Sequence, residues 1–224
     1  IASLSGMAEN TSFSIIVFAL FALAFAVKTP LFPFHAWLPE TYDQSPTSGT
    51  ILLSALLSKA GIYGFIRIGV GLFPKAMALY SFPLTALAIF GTLYGAMAAF
   101  RQTNFKKIIA YSSFSHVNFI LAGIFIGTET ALNGAILQSF NHGIIITGLF
   151  LVCGWLEMRL NSTSIYSAGG LVKYFPNLCW ITFIFVLASI SLPGTNGFIG
   201  ELMILVGIFH SSNWLAAILT LSVI

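Results

Sequence analysis

The chain has 224 residues, 58% of them hydrophobic and only 7% charged, whereas an ordinary soluble domain carries about 25% charged residues, so a water-exposed globule is excluded. The net charge of +3, from nine Lys/Arg against six Asp/Glu, is too small for a nucleic-acid footprint and suits loops that anchor on the inner side of a bilayer. Cys153 and Cys179 lie in apolar surroundings without Cys-x-x-Cys or His/Cys spacing, which supports neither a disulfide framework nor a metal site.

The apolar segments are too long and too even for the dyad alternation of an outer-membrane barrel. The expected fold class is therefore all-α: a polytopic transmembrane helix bundle, one domain over residues 1–224, with two discontinuous helices. The first span, residues 12–31, runs into Pro30, Pro33 and Pro39, which remove backbone donors and clash with the preceding turn, so a break is expected directly after Lys28. The second, 47–66, carries Lys59 near its middle as its only charge. The third covers 77–100, the fourth 108–127 with His116, and the fifth 131–156 with His142. The sixth, 178–209, would measure about 48 Å as one helix and is interrupted by Pro193-Gly194-Thr195-Asn196-Gly197, with Glu201 just beyond. A seventh begins near Trp214. The sequence starts at Ile1 without an initiator Met and stops inside that last apolar run, so it is expected to be part of a longer protein.

Arg101, Lys106, Lys107, Arg159 and Lys173 fall on one side of this alternation, and Arg67 and Lys75 on the other. By the positive-inside rule the first group faces the cytoplasm or its organellar equivalent.

Five ionisable residues within or beside the spans are the candidates for chemistry. An ammonium at mid-helix costs roughly 2.5 to 3.5 kcal/mol on insertion scales, so Lys59 reads as functional. Lys28 lies late in its span, where a lysine can also snorkel to the headgroups. A lone His in an apolar helix is as often a packing residue as a relay, but His116 follows Ser112 and Ser113 on its own face, and His142 follows Gln138 with Asn141 adjacent. Imidazole titrates near neutral pH, which suits a proton shuttle. Glu201 reads either as an exchange site or as a structural acid paired with a lysine of another helix. Broken helices near mid-membrane are where transporters hold ions. Glu40 and Asp43 read as a solvated loop, His35 and Trp37 as interfacial anchors, and Lys106 and Lys107 as flanking charges. The pairs Gly91 with Gly95 and Gly61 with Gly64 read as close helix packing. No GxGxxG, Walker loop or nucleophile elbow is present, and no cofactor is expected in this chain.

The stretches FAVKTPLFPFHAWLPETYDQSPTSG (25–49), ILLSALLSKAGIYGFIRI (51–68), FKKIIAYSSFSHVNF (105–119), QSFNHG (138–143) and LPGTNGFIGELMIL (192–205) together resemble the antiporter-like, proton-translocating membrane subunits of respiratory complex I, NADH:quinone oxidoreductase. The resemblance implies a fourteen-helix fold built from two inverted five-helix repeats, of which this chain would be the part from the seventh helix to the start of the thirteenth. A glutamate after the Pro-Gly break resembles the NuoM type, the counterpart of mitochondrial subunit four. On this resemblance Lys28 is the central lysine, Lys59 the bridging lysine, His116 and His142 the histidines of a central axis, and Glu201 the terminal exchange residue. The glutamate that pairs with the central lysine would precede Ile1. The implied partners are other membrane subunits of complex I, neighbouring antiporter-like subunits among them, and the lipid bilayer. The implied role is non-redox, in a bacterial inner membrane by wording rather than a mitochondrial inner or thylakoid one. Two alternatives share the motif set: a multi-subunit sodium/proton antiporter, and the homologous subunit of a membrane-bound hydrogenase or photosynthetic-type complex.

Overall fold

A computed structural model describes residues 11–221, and every regular element among them is helical. The termini, including the tail of the seventh span at 222–224 and the starting Ile1, lie outside the described residues. Among the described residues four helices are long and apolar enough to cross a membrane: α3 (Thr47–Val70), α4 (Pro74–Phe100), α5 (Phe105–Phe125) and α6 (Glu129–Leu160). They are preceded by α1 (Thr11–Lys28) and the short α2 (Trp37–Gln44), and followed by α7 (Pro176–Ser189), α8 (Asn196–Ser211) and α9 (Asn213–Thr220). The hub is α5. In its apolar stretch 72% of residues are buried, against 33–44% in the other three long helices, and it packs on α2, α4, α6 and α8.

Both expected breaks are present. Helix α1 ends at Lys28, and the backbone between it and α2 leaves donors and acceptors without helical partners. In a bilayer such groups persist only where protein or enclosed water satisfies them. Asn118, fully buried on α5, does so here: its amide donates to the carbonyl of Pro30 at 3.2 Å and its carbonyl accepts from the amide of Phe32 at 3.4 Å. Gly91 on α4 makes room for it, since an added Cβ there would lie 2.5 Å from Asn118 Oδ1. The second break separates α7 from α8, with Ser191 at φ 51° and Gly194 at φ 99° turning the chain. Asn141 on α6 donates to the carbonyl of Asn196 at 2.6 Å and holds the first residue of α8.

Helix α3 carries two π-helical stretches, Leu53–Leu57 and Phe65–Val70, with Lys59 between them. Wide turns of this kind open the regular backbone ladder and often accompany functional positions. Pro39 sits in the first turn of α2, where its missing donor costs nothing, so Glu40 and Asp43 stand on a helix and not on the expected solvated loop.

One end of the bundle gathers charge. Lys106, only 4% exposed, pairs with Glu157 at 2.9 Å and donates to the carbonyls of Asp43 and Ser45, both at 3.3 Å. Lys107 pairs with Glu40 at 2.7 Å, and the amide of Asn104 donates to Asp43 at 2.8 Å. The end of α2, the start of α5 and the end of α6 therefore meet at one face, the side on which the charge count groups Arg101, Lys106, Lys107 and Arg159. Lys106 is thus a buried clamp and not the flanking charge expected from sequence. His35 also departs from expectation: it is buried among Phe32, Tyr94 and Phe114, with ring centroids 5.4, 4.9 and 4.6 Å away, and not an interfacial anchor.

Candidate functional site

Lys59 projects from α3 between the two wide turns. Helical side chains lean toward the N-terminus, which brings its ammonium back onto the carbonyl of Ser54 at 2.7 Å. The same nitrogen lies 2.8 Å from Nδ1 of His142 on α6. While Lys59 is an ammonium it can only donate, so His142 Nδ1 is then the acceptor and a neutral His142 carries its proton on Nε2.

His142 is 3% exposed, and its ring centroid stands 5.6 Å from that of His116 on α5. Nδ1 of His116 in turn lies 3.2 Å from Oε1 of Glu201, one turn into α8. With Glu201 as a carboxylate the oxygen accepts and His116 donates through Nδ1. Gln138, one turn before His142, donates to the same Oε1 at 2.9 Å. The four groups form a series across α3, α6, α5 and α8, with a bonded pair at each end, Lys59–His142 and His116–Glu201, and the two rings facing each other between them.

Four of the five candidates from sequence are therefore brought together. Lys28 stands apart: it is exposed at the end of α1, and among the described residues no hydrogen bond or ion pair joins it to the others. The break it terminates does lie beside α3, because Thr29 packs against Gly61, two residues past Lys59.

Sequence reasoning attached each histidine to polar residues of its own helix, whereas the strong partners come from other helices. It also passed over Asn118. A lone amide in the run from Val117 to Phe125 was the available signal, since a polar side chain buried among apolar ones needs partners.

A cavity of about 510 Å³ reaches this series from the side of α4, α5 and α7, with His116 and Glu201 in its wall. Among the described residues no cluster of three or more His, Cys, Asp or Glu is placed to hold a metal ion.

The family described as "NADH:quinone oxidoreductase/Mrp antiporter, TM" matches residues 1–224. The chain belongs to this family. It is 43% identical over 189 residues to subunit M of the NADH-quinone oxidoreductase of Pseudomonas aeruginosa, covering 84% of this chain and 37% of that protein. It is 38% identical over 219 residues to chain 4 of the NADH-ubiquinone oxidoreductase of Acanthamoeba castellanii, covering 96% of this chain and 44% of that one. The chain thus spans less than half the length of these relatives. Among solved structures it superposes on a chain of respiratory complex I from Thermus thermophilus with bound NADH, at a TM-score of 0.88 and 39% identity, covering 92% of this chain and 44% of that one. A chain of the Mrp complex from Dietzia sp. DQ12-45-1b gives a TM-score of 0.91 at 23% identity, covering 96% and 40%, and speaks for the fold alone. With four long apolar helices and this membership, the protein is an integral membrane protein of antiporter-like fold.

Proposed function

We propose that this chain is the proton-conducting core of a membrane subunit of NADH:quinone oxidoreductase, in a bacterial inner membrane, and that it works beside other membrane subunits of that complex. The observation that carries this reading is the series from Lys59 through His142 and His116 to Glu201, bonded at Lys59–His142 and at His116–Glu201, with the two imidazole rings 5.6 Å apart between them. A proton leaving the Lys59 ammonium enters His142 at Nδ1, and the proton already on Nε2 is released toward His116. His116 takes a proton at Nε2 and gives the one on Nδ1 to Glu201. Each imidazole returns to neutral with its tautomer exchanged, and ring reorientation resets it. Quinone reduction elsewhere in the complex supplies the driving force by perturbing charge along the series.

The energies are compatible with this role. Driving one charge against 100 mV costs about 2.3 kcal/mol, which proton affinities changed by a unit or two can offset at about 1.36 kcal/mol each. Relatives at 38% and 43% identity are subunits of this oxidoreductase, whereas the Mrp likeness is at 23%, which favours the redox-linked reading over a sodium/proton antiporter.

The test uses the whole complex in inverted vesicles. Lys59→Ala and Glu201→Gln should each abolish most NADH-driven acidification while the complex still assembles. Acidification at the parental level in both variants would overturn the assigned series.

A further inference from the structure

Lys106 and Lys107 are matched by acids, but two other cations of the same end are not. Arg159 and Lys173 are exposed, and among the described residues neither makes an ion pair. They are nevertheless held near each other. The Arg159 guanidinium lies 5.0 Å over the Trp155 ring, Trp155 meets Phe175 edge-on with centroids 4.8 Å apart, and Lys173 stands two residues before Phe175. A guanidinium on an aromatic face keeps its fork of N–H donors for another partner. Glu157, the acid beside it in sequence, points about 200° away round the helix and is committed to Lys106.

Below this pair runs an apolar groove. A cavity of about 710 Å³ opens sideways between α3 and α6, walled by Leu56, Tyr63, Phe140, Ile144, Leu151 and Phe185 of α7. Phe140, Ile144, Leu151, Trp155 and Met158 follow one another along α6 at steps of three, four or seven, so the groove and Trp155 share one face of the helix. Glycine sets both walls: Gly154 admits Thr47 of α3 and Gly148 admits Phe185 of α7, each at a contact that a Cβ would block. The Lys59 ammonium at the far end is bonded to the carbonyl of Ser54 and to His142, and Thr147 gives its hydroxyl proton to the carbonyl of Gly143. From Arg159 to Thr147 is about 18 Å of helix, against about 15 Å for one leaflet's share of the hydrocarbon core. A hydrocarbon slot one leaflet deep, headed by two uncompensated cations, has the dimensions and the charge of a lipid complement.

We infer that this edge binds an anionic glycerophospholipid of the leaflet on the Lys106 side, with its phosphate at Arg159 and Lys173 and one acyl chain in the groove from Trp155 toward Lys59. Positive charge at this height attracts anionic headgroups. A zwitterionic lipid brings its own cation to the same place, and an apolar helix would fill the slot while leaving both cations unanswered. The inference is independent of the proton series.

The experiment titrates the intact complex, stripped of loosely held lipid in detergent, with a phosphatidylglycerol carrying a diazirine in one acyl chain, and maps the crosslinks by peptide mass spectrometry. Labelling should saturate on the peptides that contain Leu151 and Leu56, and excess unlabelled phosphatidylglycerol should displace it while phosphatidylcholine and glycerol phosphate should not. Arg159→Gln combined with Lys173→Gln should raise the half-saturating concentration about 25-fold, about fivefold for each cation lost, and Lys75→Gln at the other end of the bundle should leave it unchanged. If the double variant does not assemble, Lys173→Gln alone should give the about fivefold change, and the competition arm on the parent complex needs no variant. Equal displacement by phosphatidylcholine, or parental half-saturation in the charge variants, would reduce the site to ordinary annular lipid. Displacement by glycerol phosphate would make it a site for free phosphate, and no labelling at all would mean that another helix of the complex fills the groove. Each of these results overturns the inference.

Discussion

The ammonium of Lys59 and Nδ1 of His142 stand 2.8 Å apart, a separation that accommodates one proton between the two nitrogens and not two. Whenever Lys59 is charged His142 must present a lone pair, and whenever His142 is protonated at Nδ1 Lys59 must have given its proton up. At this distance the two nitrogens form a single donor–acceptor pair.

Replacement of Lys59 by arginine separates that role from a structural one. A guanidinium retains donors for the carbonyl of Ser54 and for His142, but it does not deprotonate in proteins. Lys59→Arg should therefore assemble as the parent does and pump as poorly as Lys59→Ala. Recovery of NADH-driven acidification in the arginine variant would show that Lys59 acts only as a fixed hydrogen-bond donor.

The clamp at the charged end predicts an asymmetry. The Lys106 side chain is 5% exposed and that of Glu157 is 37% exposed, so only one partner is cut off from water. Glu157→Ala leaves a buried ammonium with two carbonyl contacts at 3.3 Å and should cost about 3 to 5 kcal/mol. Lys106→Met leaves a carboxylate that water can reach, and the cost should stay near 1 kcal/mol. Thermal unfolding of the purified complex should rank Glu157→Ala below Lys106→Met, and the reverse order would refute the clamp.

Asn118 holds the break after α1, and its removal should be felt there. Asn118→Leu conserves volume but leaves the carbonyl of Pro30 and the amide of Phe32 without their partner, at about 1 to 3 kcal/mol for each group that stays buried. Increased protease susceptibility near residues 29–36 is the expected readout. Unchanged proteolysis and an unchanged melting temperature would assign the amide no such role.

Close approach of α6 and α8 is the basis for a fourth expectation. A Cβ on Gly134 would lie 2.7 Å from Met203 Cβ, 2.9 Å from the backbone nitrogen of Ile204 and 3.0 Å from the carbonyl oxygen of Gly200, so the two helices must part to accept it. Gly134→Ala should destabilise by about 1 to 3 kcal/mol. It should also lower pumping, because Gln138 lies one turn along the same face and would be drawn off Glu201. A variant with parental stability and pumping would mean the contact is looser than described.

What could be read from sequence was what proline, glycine and isolated charge announce. The end of α1 at Lys28 and the interruption around Pro193-Gly194 followed from backbone chemistry that is local to those residues. Lys59 and Glu201 stood out because each is a charge set in an apolar run. The pairings were illegible for the opposite reason: Lys59 and His142 are 83 positions apart, and Gln138 and Glu201 are 63 apart. No helical periodicity relates such residues, and only packing decides which faces meet. The π-helical turns flanking Lys59 were also invisible, since Leu53–Leu57 has the composition of an ordinary α-helix. Lys106 misled because a lysine pair before a span has the look of a membrane flank, and its burial depends on Asp43, Ser45 and Glu157 from two other helices.

Asn141 and His142 are consecutive on α6, about 100° apart around its axis. One grips the opening turn of α8 through the carbonyl of Asn196, and the other receives Lys59 of α3. A twist of α6 that parts the lysine from the imidazole therefore drags on the hinge of the broken helix, as a shaft with two cams moves both followers at once. The lysine contact and the anchor of the broken helix are thus carried by one element, and neither can shift with α6 without the other.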